Sequence, residues 1–212
     1  MFANAMKTQL LMALGVLVAL AACNRQSPVV SGNDPASPAS LTPVQMAKAT
    51  ERGKAIVAET FGLLSSNLQS SIVSGGVSNA LPYCSLAASP LTASIAQKHG
   101  VSLRRFTHKP RNPAGMADVV ELGLLDQFRK ALAFTNTVPP VVAILEPGTV
   151  TFVAPIVLNN PMCLNCHGEP DKDIKPENIA IIRGLYPRDQ ATGFRLGELR
   201  GAWRIDFPVS SL

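Results

Sequence analysis

Cys163-Leu164-Asn165-Cys166-His167 holds the residues of this chain best suited to chemistry. Two thiols separated by two residues can each form a thioether with one vinyl group of a porphyrin. The imidazole directly after the second is then held beneath the ring, where a nitrogen reaches the iron. The spacing predicts one covalently bound haem c, with Cys163 and Cys166 as its attachment points and His167 as an iron ligand. A zinc site would want a second Cys/His pair at short spacing, and the chain has none. A thioredoxin-like pair belongs at a strand-to-helix junction, whereas Asn159-Asn160-Pro161 lead into this motif and Gly168-Glu169-Pro170 lead out.

Haem is attached to such a motif outside the cytoplasm, so the chain is expected to be exported. Residues 1–22 read as the leader: Lys7 supplies a positive start and Leu10 to Leu20 an apolar run too short to span a bilayer. Met6 is an alternative start. Leu20-Ala21-Ala22-Cys23 resembles the bacterial lipobox, which predicts acylation of Cys23 and a lipid anchor of several chains. The plainer alternative is an ordinary signal peptide with an incidental cysteine. Asn24 stands where an aspartate would indicate retention at the inner membrane. The expected location is therefore the periplasmic side of a bacterial membrane, with the outer membrane preferred.

Of the four cysteines, lipid and haem account for three, which leaves Cys84 unpaired in an exported chain. With no disulfide the fold must rest on its core, and a 47% hydrophobic composition is enough for one domain. The net charge of +5 falls on removal of Lys7 and again with two haem propionates. Aromatics are few and no Lys/Arg run exists, so no nucleic acid partner is expected.

Residues 23–41 are rich in Ser, Pro, Ala, Gly and Asn and read as a flexible tether. The domain is expected over residues 42–212. Thr42, Pro43 and Gln45 form a helix start, and the helix should run to about Val73 with Met46, Ala49, Ile56, Val57, Phe61, Leu64, Leu68 and Ile72 as its apolar stripe. Gly75-Gly76 ends it. A second helix is expected over Asn79–Ala88, carrying Cys84, and a third from Ser89-Pro90 to Lys98 before Gly100. Val101–Thr107 predicts a strand, Arg111–Gly115 a loop, and Ala117–Phe134 a helix with Val120, Leu124, Leu125, Phe128 and Leu132 buried. Pro140–Leu145 and Thr149–Leu158 read as a hairpin across Glu146-Pro147-Gly148. Pro176–Leu185 predicts a short helix. Leu199–Phe207 predicts a strand in which Ala202, Arg204 and Asp206 alternate against Trp203, Ile205 and Phe207. Helices first and an antiparallel sheet later make an α+β domain with a long N-terminal helix.

Several runs together resemble the PAS-like c-type haem domain family: Ala80-Leu81-Pro82-Tyr83-Cys84, Ala88-Ser89-Pro90, Arg111-Asn112-Pro113 and Cys163 to Pro170. Tyr186 to Phe194 and Gly197 to Ala202 continue it, so that it covers about Pro43 to Phe207. Members are stand-alone exported haem proteins or sensor modules of signalling proteins. The resemblance implies a PAS-like antiparallel sheet with long helices in a single domain. It also implies that the upstream cysteine, here Cys84, is the second axial ligand. Pro82 just before Cys84, and Gly115-Met116 after the Arg-Asn-Pro run, depart from the family pattern.

On its residues alone, Cys84 reads as a small buried hydrophobe. With the resemblance it leads a list that also holds His108, His99, Met116 and Met162, or an open sixth position. A thiolate ligand would lower the haem potential. Arg104, Arg105, Arg111, Arg188 and Arg200 could pair with propionates, and Arg111 is favoured because its loop belongs to the matched run. Tyr186 and Trp203 are expected to pack against core or haem. Glu198 and Asp206 are too generic to assign. The expected function is redox sensing or electron transfer. Binding of a diatomic gas is the alternative, and a peroxidase-like activity comes third. The expected partners are a membrane, through the lipid, and a separate redox or signalling protein.

Overall fold

The computed structural model describes residues 40–135 and 137–212. The expected leader, Cys23 and nearly all of the tether lie outside the described residues. What is described is a single α+β domain, with a helical hairpin on one face of a four-stranded antiparallel sheet and a shorter helix on the other.

Helix α1 (Pro43–His99) opens with the expected cap: the Gln45 N–H donates to Thr42 Oγ1 at 3.2 Å, and the Thr42 N–H to Gln45 Oε1 at 3.1 Å. It breaks at Gly75 and Gly76, and Gly76 takes φ +71°, a conformation glycine adopts at no steric cost. The chain folds back there into two antiparallel arms, residues 43–74 and 77–99. Polar contacts fasten the arms: Asn79 Nδ2 donates to the Ser71 carbonyl at 3.0 Å, Tyr83 Oη to Asn67 Oδ1 at 2.8 Å, and Lys98 Nζ to Glu59 at 2.6 Å.

The second and third expected helices are one continuous arm, with Pro82 and Pro90 inside it. A proline leaves the carbonyl four residues earlier without its helical partner. For Pro90 that residue is Leu86, which is 78% exposed, so water can serve its carbonyl. The expected stripe on the first arm is also shifted. Ala49, Gly53, Ile56 and Thr60 are its buried face, whereas Met46 and Phe61 point outward. Small and polar residues carry this face because it lies close against the sheet, which hydrophobicity alone does not reveal.

Strand β1 (Ser102–Phe106) leads to α2 (Val119–Leu132), which is capped by Asp118 and Glu121 in a reciprocal pair. Strands β2 (Val141–Glu146) and β3 (Thr149–Val157) form the expected hairpin. The single turn α3 (Leu164–His167) and α4 (Pro176–Leu185) follow, and β4 (Leu199–Pro208) ends the sheet in the order β1-β4-β3-β2. Central β4 pairs with β1 on one side and β3 on the other.

The alternation expected in β4 holds. Ile205 and Phe207 join Phe152, Val150, Ile56, Ala49 and Ile95 under α1. Ala202 joins Phe106, Val153, Leu124, Leu125 and Phe128 under α2. In α2, Val120 is exposed rather than buried, and Glu121 is fully buried in its place. The Glu121 carboxylate is hydrogen-bonded to Arg104 and to Arg204 Nη1 at 3.3 Å, and Arg204 also reaches Glu146 at 2.6 Å and Asp206 at 3.0 Å. A buried carboxylate is tolerated only with such partners.

Candidate haem site

The chain leaves the C-terminal end of β3, an inner strand, and immediately tightens. Asn160 Oδ1 accepts from the Met162 N–H at 2.9 Å and caps a 3₁₀ turn, Pro161–Cys163, that runs into α3. Helical pitch places Cys163 and Cys166 on one face, three residues apart. Both are half-buried free thiols. Cys163 packs against the cluster formed by Leu158, Ala191 and Phe194, and Cys166 against the one formed by Leu81, Ile174, Ile179 and Ile182. Gly168 ends the turn in a tight space, where a Cβ would stand 2.8 Å from the Leu164 carbonyl and 2.5 Å from Asp173 Cβ.

A second segment, residues 189–194, laces onto this turn. The Phe194 N–H donates to the His167 carbonyl at 2.9 Å and the Gly193 N–H to the Gly168 carbonyl at 2.8 Å. The Ala191 carbonyl lies 2.8 Å from His167 Nδ1. A carbonyl only accepts, so Nδ1 carries the proton and Nε2 keeps a free lone pair. Asp189 Oδ1 in turn accepts from the Ala191 N–H at 2.9 Å.

Arg111 ties these pieces together. Its Nη2 donates to the Cys166 carbonyl at 2.5 Å and its Nε to Asp189 Oδ1 at 3.2 Å, while its guanidinium carbon stands 5.9 Å from the centre of the Tyr186 ring. It holds the turn that carries Cys166 in place.

Burial holds the His167 imidazole well below its usual pKa, and the charges of Arg200 and Arg111 add to this, so the ring is neutral near pH 7. The Cys166 thiol is pushed up by burial, against the pull of Arg111. Half-buried Cys84 lies on the second arm of α1, three residues past Leu81 of the cluster that packs Cys166. Burial pushes its thiol up and the Arg105 charge opposes this. Cys84 is within Coulombic reach of Cys166, Tyr186 and Arg105, so the structure brings the expected second ligand to the same region as the motif.

Two further arginines face this region. Arg200 Nη1 donates to Thr107 Oγ1 at 3.0 Å and to the Lys109 carbonyl at 3.1 Å, but its Nε is buried without any partner. Burial first, then the charges of Arg111 and Arg105, push its pKa down to about 10. Arg105 lies across β1–β4 from Trp203, its guanidinium 5.3 Å from that ring's centre. Burial lowers its pKa, yet its surface is exposed. Neighbouring atoms crowd the guanidinium, while the residue keeps surface open to solvent.

The remaining candidates fall elsewhere. His108 and His167 both stand edge-on to Phe194, at 6.0 and 6.4 Å between centroids, which groups His108 with the His167 side. His99 pairs with Glu59 at 2.7 Å at the far end of the helical hairpin. Met116 is exposed beyond the 3₁₀ turn Pro113–Gly115, and Met162 sits inside the 3₁₀ turn Pro161–Cys163. Arg104 is occupied by Glu121, and Arg188 is exposed. An open groove elsewhere, lined by Gly100, Arg104, Glu146, Arg204 and Asp206 among others, offers no thiol or imidazole. Asp189, Ala191 and Phe194 were not singled out from the sequence as site residues. Their signal lay in the Tyr186–Phe194 run, which only a comparison could connect to His167.

The fold has a solved counterpart in the crystal structure of the cyanobacterial heme-protein Tll0287. The match covers 79% of this chain and 97% of that one at 24% identity, with a TM-score of 0.54. No curated protein matches the chain. The family model described as Tll0287-like matches residues 27–208, a span that takes in the helical hairpin, the whole sheet and the Cys163–His167 turn, and the chain therefore belongs to the Tll0287-like family.

Proposed function

We propose that this chain is an exported, lipid-anchored haem protein acting in electron transfer or redox sensing. In this reading one haem c is joined to Cys163 and Cys166, and its iron is ligated by His167 and Cys84. The observation that carries the reading is the His167–Ala191 contact. An imidazole fixed as the Nδ1–H tautomer, neutral, and set directly after two free thiols is prepared to ligate a metal through Nε2. Among the described residues no three His, Cys, Asp or Glu side chains cluster as a cage for a bare metal ion, so the donor set suits a cofactor that brings its own equatorial ligands. The name heme-protein borne by the solved counterpart supports the same cofactor.

When bound, haem supplies a one-electron couple. The chain's own part is to hold it. Arg111 and Asp189 keep the Cys166 and Ala191 carbonyls in place, and Phe194 packs beside His167. Cys84 approaches from α1 and is favoured as the second ligand. A ferric ion would offset the burial that keeps its thiol protonated, and thiolate donation would lower the potential. Cys23 carries the lipid, so the domain works on the periplasmic side of a bacterial membrane, the outer one preferred, and exchanges electrons or signals with a separate protein.

The test uses the exported protein purified with its cofactor. A pyridine haemochrome spectrum of a two-thioether haem is expected, and it should be lost in the Cys163→Ala/Cys166→Ala double variant. Ferric spectra should change from six-coordinate thiolate-ligated in the wild type to a different ligation state in Cys84→Ala. Unchanged spectra would exclude Cys84. Ready uptake of CO by the ferrous wild type would favour gas binding over electron transfer.

A further inference from the structure

We infer that Arg105 and Arg200 bind the two haem propionates, one guanidinium to each carboxylate. The inference rests on the haem reading above and assigns the anionic edge of that cofactor to residues of this chain. Arg200 is already anchored through one nitrogen, Nη1, to Thr107 and the Lys109 carbonyl. Its Nε–H is buried and unpartnered, and Nη2 has no hydrogen bond among the described residues. Nε and Nη2 share the edge of a guanidinium that takes a carboxylate in a two-point fork. A buried donor left without an acceptor is rare in a folded protein, and a carboxylate at this edge supplies one.

Arg105 is the complementary case. It has no hydrogen bond or ion pair among the described residues, and its guanidinium stands 5.3 Å from the Trp203 ring centre with its surface open to solvent. The charges around the attachment turn do not balance. Arg200 feels the repulsion of both Arg111 and Arg105, and Asp189, the carboxylate that acts against this, is already engaged by Arg111 and by the Ala191 N–H. Lys109 Nζ is directed at the Thr192 carbonyl at 2.6 Å and stands over Phe194, and Glu198 accepts from the Arg195 N–H at 3.0 Å. Neither Arg105 nor Arg200 therefore has a carboxylate in direct contact among the described residues, and the cofactor brings two.

The experiment compares holoprotein of the wild type with Arg105→Gln, Arg200→Gln and the exposed control Arg188→Gln. The readouts are haem content by haemochrome absorbance, midpoint potential, and the resonance Raman bending bands of the propionates. The expected result is full haem attachment in all four, with propionate bands displaced and the midpoint lowered in the two site variants only. Bands and midpoint unchanged in both site variants overturn the pairing while leaving the haem reading intact. A wild-type protein without covalent haem overturns both. If a site variant fails to accumulate, a crystal structure of the wild-type holoprotein decides. Propionate oxygens within about 3.2 Å of the Arg200 Nε/Nη2 edge and of Arg105 support the assignment, and propionates out of reach of both overturn it.

Discussion

Nδ1 of His167 stands 2.8 Å from the carbonyl oxygen of Ala191, a residue 24 positions later in the chain. That one contact decides which nitrogen of the ring is free. It is itself supported, because Asp189 holds the Ala191 N–H at 2.9 Å and also holds Arg111, which reaches back to the carbonyl of Cys166. His167, its orienting carbonyl and the turn that carries Cys163 and Cys166 form one closed circuit.

Breaking the circuit at Asp189 should be felt in both stability and cofactor. Asp189→Ala leaves the half-buried Arg111 guanidinium without its carboxylate and Ala191 without its acceptor. A loss of about 1–3 kcal/mol is expected, read as a lower urea midpoint, together with reduced haem incorporation. Asp189→Asn, which keeps an acceptor, should lose less.

The chain made without haem should grow less stable in mild acid. Burial holds the His167 pKa below its ordinary value of 6.5, and burial with the charges of Arg129, Lys109 and Arg200 does the same for His108. The unfolded chain therefore binds protons that the folded one refuses. Stability is complete above pH 6.5 and declines as pH falls toward the lowered native values. Urea midpoints measured on either side of pH 6.5 should show this slope, and His167→Gln should flatten it. An unchanged slope in that variant would assign the effect to His108.

Gly168→Ala adds a methyl group where the Leu164 carbonyl and Asp173 leave no space. Displacing that backbone should cost about 1–3 kcal/mol and misplace His167 relative to the thiols. Thermal unfolding and the haemochrome yield per protein both report on it, and wild-type values in both would refute the steric argument.

Glu121 is the one fully buried carboxylate among the described residues, held by Arg104 and Arg204 between α2 and the sheet. Glu121→Ala takes one of three carboxylates from Arg204, which keeps Asp206 and Glu146, and the loss of its charged hydrogen bonds should cost about 1.5–3 kcal/mol in denaturant titrations. The spectrum of any protein that still folds should be unchanged, because the network lies apart from the attachment turn.

Much of this architecture was readable along the chain. Pro176–Leu185 is helical over the residues its periodicity indicated, the Thr42–Gln45 cap is present, and β4 alternates as expected. Such signals are local, since capping and pleat act between near neighbours. The misreadings have a non-local cause. Phe61 and Val120 are apolar and exposed, while Gly53 and Thr60 are small or polar and buried, because the approach distance between helix and sheet is a property of both partners. Pro90 has the signal of a helix start and lies inside a helix, because the exposed residue four positions earlier, Leu86, leaves its carbonyl open to solvent.

The order of residues in Cys163 to His167 already specifies two thiols and an imidazole on one turn, since three- and four-residue spacings coincide with helical pitch. It specifies neither the tautomer nor the electrostatic surroundings. Those come from Ala191, Asp189, Arg105, Arg111 and Arg200, which lie between 22 and 61 residues from the histidine or the second thiol along the chain and meet it only when β1, β4 and the 189–194 segment close around α3. A hydrogen bond or an ion pair depends on distance in space, and across such separations that distance exists only in the folded chain.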